Sequence, residues 1–198
     1  MTAFKQRLAL VLWFSVLSAC GSTPASNYYL LSAMGAPHSA EQSPSLGIGP
    51  IKIPEYLNRN GLVFNREGNL LYVASNERWA EPLANGVERV MGLNLGRILN
   101  TENVQSFPWF RSQQPDYAIQ ISLIALDANN QRASMTAEWV VQKPKTEQFL
   151  IRRISTLAHE LPEGAVNAGQ IAPAYSELLE QLSQLIASTI AADLNAAD

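Results

Sequence analysis

The chain contains one cysteine, Cys20, so no disulfide can form within it. Whatever folds must therefore be held by packed apolar side chains. The position of that cysteine constrains the chain further. It lies in LSACGSTPAS, Leu17 to Ser26, where an apolar run gives way to small polar residues. Lys5 and Arg7 precede the run, and Leu8 to Leu17 is apolar apart from Ser15. A charged start, an apolar middle and a small-residue end are the order of a secretory signal. A membrane-spanning helix needs about 20 apolar residues, and this run has about half that.

Ordinary signal cleavage does not call for a cysteine. Leu17-Ser18-Ala19-Cys20 resembles the bacterial lipobox, in which the cysteine sulfur takes a diacylglyceryl group. The chain is then cut before that cysteine and the new amino group is acylated. On this reading residues 1–19 are a signal peptide and Cys20 is the lipidation site, with its diacylglycerol and N-acyl chain the only attached groups expected and no cofactor. Two or more acyl signals anchor a protein stably, at about 0.8 kcal/mol per buried CH2. Gly21-Ser22 follows the cysteine where Asp would suggest inner-membrane retention, which points to the periplasmic face of the outer membrane.

Residues 1–19 hold two of the 14 basic residues and none of the 17 acidic ones, so the mature chain has 12 and 17, a net charge of -5. That balance lacks the basic footprint of a nucleic-acid binder. It is also poorly suited to binding anionic headgroups by charge. With 47% hydrophobic residues, the remainder suits one globular domain. Residues 20–27 read as the lipidated N-terminus and a short tether, and 28–198 as a single α+β domain. The seven residues Gly21 to Asn27 reach at most about 25 Å, which keeps the domain close to its membrane.

Within the domain, Tyr28 to Leu31 reads as a strand, Met34 to Ser45 as a loop and Leu46 to Ile53 as a strand with one buried face. Leu62-Val63-Phe64 and Leu70 to Val73 flank a Glu67-Gly68-Asn69 turn as a hairpin. A helix begins near Glu81-Pro82, with Leu83, Val87, Val90, Met91, Leu95 and Ile98 on one face. Gly86, Gly92 and Gly96 weaken that helix but permit close packing on a sheet. Strands follow at Tyr117 to Leu126, Arg132 to Val141 and Gln148 to Leu157, the first with strict alternation of Tyr117, Ile119, Ile121 and Leu123. A final helix from Pro173 to Leu194 carries Leu178, Leu182, Leu185, Ile186, Thr189 and Ile190, a sheet-packing stripe rather than a coiled-coil seam. The order ββββ-α-βββ-α predicts an α+β fold, a largely antiparallel sheet with two helices packed on it.

Catalytic patterns are missing. The two histidines, His38 and His159, lack metal-ligand spacing, and no G-x-S-x-G, P-loop or H-E-x-x-H is present. The expectation is a protein that is not an enzyme and holds no metal. Aromatic residues carry more information. Trp79, just before the first helix, and Trp109, in Phe107-Pro108-Trp109-Phe110, are each either a partner anchor or a plug in the sheet–helix core. Tyr28 and Tyr29 are strand neighbours, so their rings face opposite sides. In Ile53 to Gly61, Pro54 ends a strand, Asn60-Gly61 turns, and Tyr56 and Leu57 project between them toward a partner or toward their own domain.

These residues carry a resemblance. Tyr28-Tyr29-x-Leu31 after a lipobox, Ile53-Pro54-x-Tyr56-Leu57 with Asn60-Gly61, and Trp79-Ala80-x-Pro82-Leu83 together resemble the ABC-type transport auxiliary lipoprotein family. The likeness runs over essentially the whole chain. It implies an accessory subunit whose partner is an MCE-domain protein of a Pqi-like transporter, moving lipid between the two membranes. It also implies self-assembly into a homo-oligomer that meets an oligomeric tube, with the lipid membrane engaged through the anchor. The family's pattern covers Tyr29, Pro54, Tyr56, Leu57, Gly61, Trp79 and Pro82. Partner-binding candidates are Tyr29, Tyr56, Leu57, Trp79 and Trp109. An alternative is a periplasmic lipid carrier with its own apolar pocket, and a third, an outer-membrane hydrolase, lacks support in the sequence.

Overall fold

The computed structural model describes residues 24–38, 43–67, 70–162 and 166–197. The signal peptide, Cys20, the start of the tether, Gly68-Asn69 of the expected turn and part of the Met34 to Ser45 loop lie outside the described residues. Strands are β1 (Asn27–Tyr29), β2 (Leu46–Lys52), β3 (Gly61–Glu67), β4 (Leu70–Trp79), β5 (Val104–Ser106), β6 (Tyr117–Ala128), β7 (Arg132–Lys143) and β8 (Gln148–Glu160). Helices are α1 (Leu83–Ile98) and α2 (Ala168–Ala197).

The α+β class and the order ββββ-α-βββ-α hold, with the three-residue β5 added after α1. The strands form two sheets, β1-β4-β3 and β5-β2-β6-β7-β8. The long ladders β3–β4, β6–β7 and β7–β8 are antiparallel, whereas β1–β4, β2–β5 and β2–β6 are parallel. The first strand is shorter than its apolar run because the backbone beyond it bonds to helices. Leu31 O accepts from Arg89 Nη2 at 2.8 Å, and Ser32 N donates to Ser176 Oγ at 3.0 Å.

Both helices cover one face of the five-stranded sheet and pack on each other. Alternation on β6 turns Tyr117, Ile119, Ile121 and Leu123 inward, all at most 4% exposed. The stripe of α2 meets them through Leu178, Leu182, Ile186 and Ile190. On α1 the close approach is made by Gly96, where a Cβ would stand 2.8 Å from Thr101 O and 2.9 Å from Pro37 Cβ. The helices are tied by the Arg97–Glu180 ion pair, with Glu180 nearly buried.

Helix α2 starts five residues before Pro173, which falls inside it. Asn167 and Gln170 set that start. Gln170 N donates to Asn167 Oδ1 at 3.2 Å and Asn167 N donates to Gln170 Oε1 at 3.3 Å, the reciprocal arrangement of a capping box.

Candidate docking surfaces

Trp79 ends β4 and its ring is 8% exposed, stacked on Tyr175 of α2 with centroids 6.3 Å apart. The three-stranded sheet is thereby fixed against the first turns of α2. Leu57, in a short 3-10 turn at Glu55–Leu57, is 3% exposed, and the hydroxyl of the half-buried Tyr56 accepts from Leu126 N at 3.3 Å. The Ile53 to Gly61 connection is therefore pinned to its own domain. Three of the five partner-binding candidates (Tyr56, Leu57 and Trp79) are occupied within the fold.

Tyr29 is half-buried and lines a cleft of about 290 Å3 with Phe64, Tyr72, Glu77 and Asn167. A hydrogen bond with Glu77, then burial and the Glu77 charge, raises the Tyr29 hydroxyl above its ordinary range. Glu77 also accepts from Asn27 Nδ2 at 3.1 Å. The cleft combines aromatic faces with one carboxylate beside the start of α2.

Trp109 belongs to a different surface. On β2, Leu46 and Ile48 are buried and Ile48 lies near α1, so Gly47 between them faces the other way. A Cβ on Gly47 would stand 2.8 Å from Trp109 Cζ3 and 2.6 Å from Pro115 Cγ. The indole thus lies directly on bare strand backbone, on the sheet face that the helices leave open. Phe107 meets it edge-on, centroids 5.2 Å apart at 88°. The segment is held by Phe107 N donating to Ile48 O at 2.8 Å, and by Gln105 Nε2 donating to Gln113 O at 3.0 Å. Phe107 is 47% and Phe110 75% exposed. The result is an aromatic platform in which Trp109 and Phe107 are fixed and Phe110 stands open to solvent. Phe107 and Phe110 were not singled out from sequence. The available signal was Gly47 and Gly49 alternating with Leu46 and Ile48, which leaves one face of β2 bare beside an aromatic cluster.

A network far from the tether closes the end of α2. Tyr117 Oη donates to Asp193 Oδ2 at 2.7 Å, and Lys143 pairs with the same carboxylate. Hydrogen bonds from Lys143 and Tyr117 outweigh burial and hold Asp193 below its ordinary range. Tyr117 is raised, by burial first and then by Asp193. Burial pushes the neighbouring Asp116 up, but bonds from Lys145 and Ser45 overcome it and leave that carboxyl lowered.

The histidines do not join any of these groups: His38 is exposed, and His159 is on β8. Among the described residues, no three His, Cys, Asp or Glu side chains converge as metal ligands. Between the five-stranded sheet and the helices, Ile48, Met91, Leu95, Trp139, Leu178, Leu182 and Ile186 are at most 1% exposed. Side chains fill that space.

The profile of a family described as the ABC-type transport auxiliary lipoprotein component matches residues 28–187. The chain belongs to that family. It is accordingly a lipoprotein, anchored at a membrane, and an auxiliary component of ABC-type transport. The match begins immediately after the tether and runs over both sheets and most of α2. Two solved structures share the fold. One, an uncharacterised protein, is 21% identical, covers 84% of this chain and 99% of its own, and has a TM-score of 0.68. Protein XCC0632 from Xanthomonas campestris is 13% identical, covers 87% and 100%, and has a TM-score of 0.69. No curated protein matches the sequence.

Proposed function

We propose that this auxiliary lipoprotein is a non-enzymatic subunit of an MCE-type ABC lipid transport system, and that it docks the periplasmic MCE tube at the outer membrane. The order and spacing of its Tyr29, Pro54, Tyr56, Leu57, Gly61, Trp79 and Pro82 motifs resemble the lipoprotein subunit of the paraquat-inducible system. The observation that carries the proposal is the Phe107–Trp109–Phe110 platform. Trp109 and Phe107, held against β2 and against each other, lose little freedom on binding, and large aromatic residues dominate interface hot spots. The platform suits the MCE-domain partner, with copies of the lipoprotein assembling as a homo-oligomer around the tube and supporting envelope integrity. Gly21-Ser22 after Cys20 supports the outer-membrane placement. The filled interior supports a docking role over that of a lipid carrier.

Co-purification from crosslinked membranes tests the proposal. An MCE-domain protein is expected with the unaltered chain, and its recovery falls when Trp109 and Phe110 are both replaced by Ala. Recovery of the anchored lipoprotein without any MCE-domain protein contradicts it. Lipid retained in native mass spectrometry of the isolated domain would favour the carrier instead.

A further inference from the structure

The three-stranded sheet exposes apolar side chains at one end, away from the aromatic platform, Leu71 and Val73 on one face and Leu70 on the other. Leu70 is 64%, Leu71 42% and Val73 43% exposed, all at the beginning of β4. No charged residue stands between Leu70 and Asn76. Water-facing leucines at the end of a hairpin need a reason, because exposed apolar side chains in a cluster mark a surface that meets something.

The topology says what lies beside them. β1 runs parallel to β4, with Asn27 opposite Glu77 and Tyr29 opposite Trp79. A parallel neighbour enters the sheet at the end where its partner begins, so the tether approaches Asn27 from the side of Leu70. Seven strand residues separate Leu70 from Glu77, about 23 Å at strand rise. The chain from Cys20 to Asn27 reaches at most about 25 Å. The two lengths match, so the acyl-bearing residue can lie level with Leu70 and Leu71. The opposite end of the domain is remote. Asn167 and Ala168, at the start of α2, line a cleft with Tyr72 and Ala74 of β4, and Asp193 lies about 38 Å beyond Ala168 at the helical rise.

We infer that the beginning of β4, through Leu70, Leu71 and Val73, rests on the lipid surface beside the anchor. The domain then stands with the start of α2 toward the bilayer and the Tyr117–Lys143–Asp193 end toward the periplasm. This inference rests on the lipidation of Cys20 and on no partner protein.

The test uses the full lipidated chain in vesicles of phosphatidylethanolamine and phosphatidylglycerol. Leu71→Cys and, separately, Gln148→Cys are labelled with an environment-sensitive fluorophore, the Cys20 sulfur being blocked by its diacylglyceryl thioether. The label at 71 is expected to shift to the blue and to lose most of its emission to a quencher on the lipid chains. The label at 148 does neither. Adding Leu70→Asp and Val73→Asp to the Leu71→Cys chain abolishes the shift while unchanged melting shows that the fold persists. Equal, water-like emission from both labels on vesicle-bound protein overturns the inference and leaves the anchor standing. Shielding at 71 without lipid quenching, growing with protein concentration or on adding an MCE-domain protein, also overturns it. A chain that washes off the vesicles refutes the lipidation of Cys20, and the inference with it.

Discussion

Gly47→Ala is a one-methyl change that addresses the aromatic platform directly. The added carbon stands 2.6 Å from Pro115 Cγ and 2.8 Å and 3.1 Å from two atoms of the Trp109 ring. Carbon atoms rest about 3.5–4.0 Å apart, so the methyl falls roughly 0.7 Å or more inside contact on two sides. The indole is planar and Pro115 is a buried ring, so the strain is relieved by lifting the segment rather than by rotating a flexible side chain. Overpacking of this kind costs about 1–3 kcal/mol. In a domain of this size that lowers Tm by roughly 2–4 °C per kcal/mol. Trp109→Ala alone removes a half-buried ring and costs about 1–2 kcal/mol. In the double variant the methyl occupies space the indole has left, so the two changes are less than additive. The expected coupling is about 1 kcal/mol, readable by denaturant melts of all four chains. Partner recovery falls in all three variants, because each displaces or removes the platform. Additive effects, or a Gly47→Ala chain as stable as the original, would refute the packing of Trp109 on β2.

Other consequences follow from the ionic and buried groups. Asp193 and Asp116 are held below their ordinary value of 3.8, so their contribution is present above that pH and is lost as the pH falls through the lowered folded values. Acid melts should show Tm falling below about pH 4, and a double variant, Asp116→Asn with Asp193→Asn, should show a flatter acid limb. Arg97→Met leaves the carboxylate of Glu180 buried without its cation and should destabilise by about 3–5 kcal/mol, much of it recovered by adding Glu180→Leu, measured in urea. Tyr175 is buried and among the described residues its hydroxyl has no hydrogen-bond partner, so Tyr175→Phe should leave stability unchanged or raise it by about 1 kcal/mol in the same assay.

Residues whose partners lie along their own element were legible in the sequence. The stripe Leu83, Val87, Val90, Met91 and Leu95 gives α1 its buried face, and the alternation from Tyr117 gives β6 its own. Expectations slipped where distant residues take over a local group. Leu30 and Leu31 fall outside the first strand because Arg89 and Ser176 bond the backbone at Leu31 and Ser32. Three residues at Val104 are too few for a period, so β5 became visible only against β2. Pro173 suggested a helix start, but the Asn167–Gln170 capping box lies earlier and outweighs it. The division into two sheets depends on pairing, which no single strand encodes. Among the candidates, Trp79 could be a plug or an anchor until Tyr175 came to lie against it. Trp109 acquired its place from Gly47, a residue with no side chain to signal the contact.

Photocrosslinking at the platform tests the central claim most directly. A photoreactive phenylalanine analogue at Phe110, in the lipidated chain within intact envelopes, is expected to give an adduct that mass spectrometry identifies as an MCE-domain protein. The same analogue at Leu71, placed against the lipid, should give none. An anchored, folded chain whose position 110 captures no MCE-domain protein would contradict the account.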